Sequence, residues 1–144
     1  MSQSERAFSP GELLLYLAWL VALLASLSAV FIGEVMGQLP CLLCWYQRIA
    51  MFPLAVVLGV AAFRGDVAAW RYGLPLAVVG AVIATWHSLI YFGWLPAAIE
   101  PCGKGPSCTD INMTVLGALP LPLLSLLAFV AIGALLFQTA KVSE

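Results

Sequence analysis

The chain has 144 residues, of which 63% are hydrophobic and only 9% are charged. So little charge cannot cover the surface of a soluble domain of this length, and the mean hydropathy of +1.04 is that of a membrane protein. The formal net charge of −1 provides neither a basic field for nucleic acid nor a polybasic patch for lipid headgroups. We therefore expect an integral membrane protein that does not bind nucleic acid.

Four apolar stretches are each long enough to cross a bilayer, which takes roughly 20 residues of α-helix. They cover about residues 12–33, 45–63, 72–94 and 115–137. The sequence therefore predicts an all-α membrane protein, a bundle of four transmembrane helices forming a single domain over residues 1–144.

The first stretch has clear start and stop signals. Ser9-Pro10-Gly11-Glu12 has the form of a capping box with proline at the first helical position. Gly33 and Gly37 are expected to end the helix. The stretch is too long for the apolar region of a cleavable signal peptide, so we expect it to remain as a membrane span.

The basic residues near the ends of the stretches predict the orientation in the membrane. One side would carry Arg6, Arg64, Arg71 and Lys141, and the other Lys104 and at most Arg48. Because basic residues favour the cytoplasm, both termini and the second loop are predicted to lie there. All four cysteines then face the outer compartment, where disulfides persist.

The main chemical signal is Pro40-Cys41-Leu42-Leu43-Cys44-Trp45-Tyr46-Gln47-Arg48, at the start of the second stretch. Cys41 and Cys44 are three residues apart, so on a helix they share a face and can close a disulfide. Arg48 follows Cys44 at i+4 and is expected beneath that thiol. A helix N-terminus and a guanidinium both favour the thiolate, which is the nucleophilic form. The motif therefore predicts a redox-active dithiol.

Two further helical features bear on this site. Pro53 removes one hydrogen bond from the second helix and is expected to bend it. His87 is the only histidine, and polar groups at its depth tend to face the bundle interior. A packed, hydrogen-bonded histidine and a contact to a cofactor both fit this position.

The third loop, about residues 95–114, carries a second cysteine pair. Five residues separate Cys102 from Cys108, and a turn rich in glycine and proline can bridge that spacing. The fourth helix is expected to begin near Thr114, with Pro120 and Pro122 in its outer half.

Two cysteine pairs on one side of a membrane suggest an electron relay, which requires a final acceptor. A single histidine cannot provide bis-histidine haem ligation, and cysteines used in exchange cannot hold an iron–sulfur cluster. No glycine-rich dinucleotide fingerprint is present. These points favour a mobile, lipid-soluble carrier such as a quinone. Arg48 would hydrogen-bond a quinone carbonyl, or it would be a snorkelling anchor for lipid phosphates.

Two other classes of protein fit the cysteines. Four thiolates can form a tetrahedral site for zinc or copper(I), although an oxidising compartment makes free thiolates scarce, and we predict no metal. The second alternative is a structural membrane protein with two inert disulfides. It predicts slow reduction by a thioredoxin-like dithiol and no response to quinone.

The motif from Cys41 to Arg48, the four spans and the cysteine pair before the fourth span together resemble the disulfide bond formation protein B family, particularly its short BdbC-type branch. The resemblance implies a four-helix protein of the bacterial inner membrane. Such a protein reoxidises a thioredoxin-fold thiol oxidase of the DsbA or BdbD type. It passes the electrons to ubiquinone or menaquinone.

The resemblance also implies a path for the electrons. The reduced partner would attack a Cys102–Cys108 disulfide and form a mixed disulfide at Cys102. Cys108 would then attack Cys41, which releases Cys44 as a thiolate beside the quinone.

Two residues of this chain match the quinone site of the family. Arg48 corresponds to its arginine, and His87 falls where some members have a histidine near the quinone ring. The third loop departs from the better-known members, because it lacks the small amphipathic helix between its cysteines. The order of the exchange steps and the docking of the partner therefore stay open.

Overall fold

The computed structural model describes residues 8–96, 108–109, 114–115 and 117–143. Four helices in these ranges are long and apolar enough to cross a membrane, which confirms the predicted all-α, four-helix class. They are α1 (Pro10–Val30), α2 (Leu42–Arg64), α3 (Trp70–Tyr91) and α4 (Leu121–Ser143). Helices α1 and α3 each pack against both α2 and α4, so the four helices close into one bundle.

The first helix begins as its sequence predicts. The hydroxyl of Ser9 accepts a hydrogen bond from the backbone N–H of Glu12, and the Glu12 carboxylate accepts one from the backbone N–H of Ser9. This reciprocal pair satisfies two N–H groups that a helix start leaves without partners.

The predicted end of this helix at Gly33 is wrong. The helix continues as a π-helical turn, Phe31–Val35, and the chain leaves it at Gly37, which has a φ of +69°. Gly33 lies inside the π-helical turn and faces the side chain of Arg48. Its missing side chain therefore serves a close approach between helices rather than a helix stop.

A tight turn joins α2 to α3. Gly65 ends α2 with a φ of +66°, a conformation that glycine adopts without steric cost. The Asp66 carboxylate then accepts a hydrogen bond from Ala68 N and begins a short 3₁₀ turn, Val67–Ala69, that leads into α3. The two helices are therefore neighbours in a hairpin.

The fourth helix begins at Leu121, later than the sequence suggests. Before it, strand β1 (Thr114–Val115) pairs antiparallel with strand β2 (Leu119–Pro120), and Gly117 has the positive φ that this hairpin needs. The prolines explain the shift, because a proline ring lacks the N–H of a helix interior. Pro122 lies in the first helical turn, where that N–H is not required.

The interior of the bundle is aliphatic, and its outer surface is apolar as well. The largest fully buried hydrophobic side chains are Leu15, Leu54, Leu58, Ile90, Phe129, Ile132 and Leu136. Many valines, leucines and aromatic residues stay exposed on the outside of the helices. A helix that is apolar on all sides suits a protein surrounded by lipid.

Candidate functional site

Cys41 and Cys44 form a dithiol at the N-terminus of α2. Cys41 is the N-cap residue, with an extended backbone, and its sulfur accepts a hydrogen bond from the backbone N–H of Cys44. Cys41 therefore lies just before the helix, whereas the sequence placed both cysteines on one helix face. The two sulfur atoms are 3.0 Å apart, so the predicted pairing is geometrically possible.

The two thiols differ in their surroundings. Cys41 is completely buried, while Cys44 is partly exposed. The hydrogen bond that the Cys41 thiol donates to the Cys44 sulfur, together with burial, raises the pKa of Cys41 to about 12. In the singly ionised pair, Cys41 thus retains the proton and Cys44 carries the negative charge.

His87 is held beside this dithiol by a buried polar network. Its Nε2 lies 3.8 Å from the sulfur of Cys41, and its Nδ1 lies 2.9 Å from Nε2 of Gln47. The Oε1 of Gln47 accepts a hydrogen bond of 2.6 Å from the hydroxyl of Ser125. The network joins α2, α3 and α4, and both Gln47 and His87 are buried.

Arg48 is anchored against the end of α1. Its Nη2 donates a hydrogen bond of 2.8 Å to the carbonyl oxygen of Ala29. Its guanidinium lies over the Trp45 ring, 5.3 Å from the ring centre, as in a cation–π contact. These contacts hold the cation inside the bundle, beside the π-helical turn.

A cavity of about 1130 Å³ lies between the helices at this end of the bundle. Its walls are mainly apolar and include Phe31, Met51, Phe52, Leu121 and Phe129. The polar side chains that line it include those of Cys44, Gln47, Arg48, His87 and Ser125. The structure therefore brings three of the predicted site residues, Cys44, Arg48 and His87, to one cavity.

The lining of this cavity has the composition that a quinone site would need. The apolar tail of a quinone needs mostly apolar walls, and its two carbonyl oxygens need a few hydrogen-bond donors. Arg48 supplies several N–H groups, one of which is bonded to Ala29. The sulfur of Cys44 lies in the same cavity.

The second cysteine pair is described only in part. Cys108 is buried in one cluster with Cys41, Leu43 and Ile90. Cys102 lies outside the described residues, as does the basic residue Lys104. The pairing of Cys102 with Cys108 therefore stays a prediction, whereas the packing of Cys108 near Cys41 is part of the structure.

The dithiol and His87 also have the composition of a metal site. The sulfurs of Cys41 and Cys44 and a ring nitrogen of His87 lie within 4.8 Å of one another. A metal ligand needs a free lone pair on the nitrogen that faces the sulfurs. The amide nitrogen of Gln47 lies against Nδ1 and can only donate, so a neutral His87 ring in this arrangement would carry its proton on Nε2, which faces Cys41. The arrangement suits a hydrogen-bond donor to sulfur better than a metal ligand.

Sequence reasoning missed two members of the site, Gln47 and Ser125. Gln47 lies within the cysteine–arginine motif. A polar side chain in an otherwise apolar membrane helix tends to face the bundle interior, and this signal could have identified Gln47. Ser125 had no comparable signal, because serine in a membrane helix commonly bonds to its own backbone.

Comparisons with known proteins agree with this site. The family model described as "Disulfide bond formation protein DsbB" matches residues 11–139. A "Probable disulfide formation protein" from Metapseudomonas resinovorans is 56% identical over 124 residues, which cover 85% of this chain and 86% of that protein. "Disulfide bond formation protein C" from Bacillus subtilis is 41% identical over 118 residues, which cover 82% of this chain and 86% of that protein.

A third relative is a "Probable disulfide formation protein" from Deinococcus radiodurans, 44% identical over 131 residues that cover 85% of each chain. No solved structure matches significantly. The family match spans nearly the whole chain and includes both Cys41 and Cys108. This chain therefore belongs to the DsbB family of membrane disulfide bond formation proteins.

Proposed function

We propose that this protein reoxidises a thioredoxin-fold thiol oxidase of the DsbA or BdbD type and delivers the electrons to membrane quinone, ubiquinone or menaquinone. Its place would be the bacterial inner membrane, with both termini in the cytoplasm and the cysteines on the outer side. It would thereby support disulfide bond formation in exported proteins.

One observation carries this proposal: Cys44, Arg48 and His87 line the same largely apolar cavity. A bound quinone would supply a sink for two electrons and two protons. Arg48 would orient it and stabilise the negative charge that develops on its oxygens, because a cation in apolar surroundings interacts strongly with such charge.

The cysteines would act by successive thiol–disulfide exchange. A thiolate of the partner would attack Cys102 and open the Cys102–Cys108 disulfide, and Cys108 would then attack Cys41 and break the Cys41–Cys44 disulfide. The second thiol of the partner would displace Cys102 and leave the partner oxidised. Cys102 would then attack Cys108, which reforms the outer disulfide and releases Cys41. Each exchange forms one S–S bond and breaks one, so the two electrons stay on sulfur until Cys41 and Cys44 close their disulfide again. The burial of Cys108 against Cys41 supports the second exchange.

Quinone dependence is tested with purified protein from which lipid and endogenous quinone have been removed. Reduced thiol oxidase is added with ubiquinone or menaquinone, and free thiols and quinone absorbance are followed together. We expect one quinone to be reduced for each dithiol oxidised, and no quinone reduction by the Cys44→Ser variant. Absence of thiol oxidation by the wild type with either quinone would refute the proposal.

The attack on Cys102 is tested separately by trapping. In the Cys108→Ala variant, Cys102 is a free thiol. Its thiolate should therefore displace thionitrobenzoate from a partner that keeps only its nucleophilic cysteine and carries that leaving group as a disulfide. The resulting mixed disulfide should accumulate, because no second cysteine of the partner and no Cys108 can resolve it. Mass spectrometry of the trapped complex should identify Cys102 as the linked residue. A variant that lacks Cys102 as well serves as the matched control and should trap nothing. If no thioredoxin-fold partner is trapped, the proposed order of exchange is wrong.

A further inference from the structure

The polar contacts between three helices form one chain that ends on the dithiol. Ser125 on α4 donates to Gln47 on α2, Gln47 contacts His87 on α3, and His87 contacts Cys41 at the start of α2. The distances from Ser125 to Gln47 and from Gln47 to His87 are 2.6 Å and 2.9 Å. Each group therefore meets a group from a neighbouring helix.

The chain of contacts has a defined direction. The hydroxyl of Ser125 has two acceptors within reach, Oε1 of Gln47 at 2.6 Å and the carbonyl oxygen of Pro122 at 2.9 Å, and we assign its proton to the shorter contact. With Oε1 of Gln47 facing Ser125, its Nε2 faces His87. An amide nitrogen can only donate, so Nδ1 of His87 is the acceptor. The proton of the neutral imidazole is then on Nε2, the nitrogen that faces the sulfur of Cys41 at 3.8 Å.

We propose that Ser125 and Gln47 are positioning residues that hold His87 in its Nε2–H tautomer, so that His87 donates a hydrogen bond to Cys41 and stabilises the reduced dithiol relative to the disulfide. This inference rests on the proposed function only in taking Cys41 and Cys44 as a redox pair.

The effect on the redox equilibrium follows from the products of reduction. Two electrons and one proton convert the disulfide into a Cys41 thiol and a Cys44 thiolate, and the thiol donates to the thiolate. A hydrogen bond accepted by the Cys41 sulfur polarises its S–H group and strengthens that second bond, since linked hydrogen bonds reinforce one another. A disulfide sulfur is a weaker acceptor. The network should therefore make the Cys41–Cys44 disulfide more oxidising, which favours electron transfer from the outer cysteines.

The tautomer can be observed directly, because His87 is the only histidine in the sequence. Protein labelled with ring-¹⁵N histidine, reduced and embedded in lipid nanodiscs, gives the protonation of each ring nitrogen by NMR. We expect Nε2 to be protonated and Nδ1 to be an acceptor. In Gln47→Glu the carboxylate can only accept from the ring, so Nδ1 should become protonated. A wild-type ring with its proton on Nδ1 overturns the proposal.

The redox effect is measured by equilibration with a dithiol buffer. Cys102 and Cys108 are both replaced by serine, so that Cys41–Cys44 is the single redox pair. We expect Gln47→Met to lower the equilibrium constant for reduction about tenfold, which makes the potential about 30 mV more negative. His87→Phe should lower it at least as much. Ser125→Ala, which removes a single oxygen and is the variant least disruptive to folding, should shift it in the same direction by less.

Ser88→Ala is the matched control. Ser88 is also buried on α3, but its hydroxyl donates to Ala84 of its own helix, so the potential should stay at the wild-type value. If the polar network only fills the bundle interior, Gln47→Met and Ser125→Ala will keep the wild-type potential, which overturns the proposal. Neither measurement uses quinone or a protein partner. Failure of this inference is therefore distinguishable from failure of the proposed function.

Discussion

The dithiol end of the helix bundle has buried polar side chains that bond between helices. Gln47 and His87 bond to groups on other helices there, while the neighbouring Ser88 bonds within its own helix. At the other end, Thr139 is equally buried, but its hydroxyl donates to Leu135 within the same helix. Hydrogen bonds of the first kind fix the rotation of one helix against another, whereas those of the second kind do not.

The two ends also differ in how closely their side chains pack. Away from the dithiol, glycines let large side chains fill the space between helices: Gly59 lies against Trp19, and Gly73 lies against Leu58 and Leu136. At the dithiol end the helices leave a cavity of about 1130 Å³ between them. Side chains that line it make fewer dispersion contacts with one another, and hydrogen bonds between membrane helices, worth on average about 0.6 kcal/mol each, offset part of this loss.

A ligand can therefore be accommodated at the dithiol end. At the closely packed end, side chains fill the space between the helices, while at the other end the helices leave a space beside Cys44 and Arg48.

The largest effect is expected in thiol labelling of the reduced protein. With a pKa of about 12, only about one Cys41 in 100,000 is a thiolate near pH 7. Cys44 lines the cavity, so brief treatment with iodoacetamide should label Cys44 more than a hundredfold faster than Cys41. Because the raised pKa keeps Cys41 protonated, the rate at which it is labelled should increase about tenfold for each unit by which the pH is raised toward 12. Peptide mapping measures both rates.

Unfolding in detergent provides the control for this experiment, because both thiols should then react at similar rates. Equal labelling of Cys41 and Cys44 in the folded protein would contradict the assigned charge distribution.

The next effect concerns the cation in the cavity. If the quinone proposal is correct, Arg48→Leu should slow quinone reduction by about 10²–10³-fold, the usual effect of losing one group that stabilises a developing anion. Arg48→Lys should retain part of the rate, because it keeps the charge but loses the planar fork. Stopped-flow measurement of quinone absorbance gives these rates. As a control, thiol–disulfide exchange with the thiol oxidase should be unchanged in both variants. If Arg48→Leu reduces quinone at the wild-type rate, Arg48 acts only as an anchor at the membrane surface.

A smaller effect tests the packing where the cavity meets the closely packed part of the bundle, because Phe129 lines the cavity and also lies against Gly80. A Cβ atom at Gly80 would collide with the buried ring of Phe129. Gly80→Ala should therefore lower the free energy of unfolding by about 1–3 kcal/mol, as overpacking usually does. Gly133→Ala is the matched control, because a Cβ there meets no atom of the described residues within 4 Å. Unfolding by SDS in mixed micelles measures both, and equal stability of the two variants would refute the assignment.

The parts of the fold that the sequence predicts are those encoded locally. Hydropathy is sufficient to find four spans, and Ser9 and Glu12 form the capping box that their spacing indicates. The spacing of Cys41 and Cys44 likewise predicts that their sulfurs meet. Each of these features depends on residues within a few positions of one another.

The parts that could not be predicted depend on contacts between distant segments. Gln47 and Ser125 are 78 positions apart, and whether they meet depends on the rotation of two helices. The sequence wrongly predicts a helix stop at Gly33, because the guanidinium that fills the space beside this glycine comes from another helix. The start of α4 was missed for a different reason: hydropathy does not register that the chain before Leu121 pairs as strands.

The smallest effect we predict comes from Gly33. A Cβ at this position would lie 3.2 Å from Nη2 of Arg48, so the guanidinium must move by a few tenths of an ångström. Displacing a catalytic group by 1 Å lowers the rate by about 10²-fold. A displacement of a few tenths of an ångström should therefore lower kcat/KM for quinone by about threefold to fivefold. Glu34→Ala, an exposed change in the same π-helical turn, is the control and should have no effect.

Combining Gly33→Ala with Arg48→Lys separates a direct contact with the guanidinium from an effect on the π-helical turn. The ammonium of lysine has no Nη2 to displace, so Gly33→Ala should cause little further loss in that background. The two substitutions would then be non-additive, as expected for residues in direct contact. If Gly33→Ala lowers kcat/KM equally in both backgrounds, it acts on the shape of the π-helical turn itself. The close approach of α1 would then not be what positions the cation in the cavity.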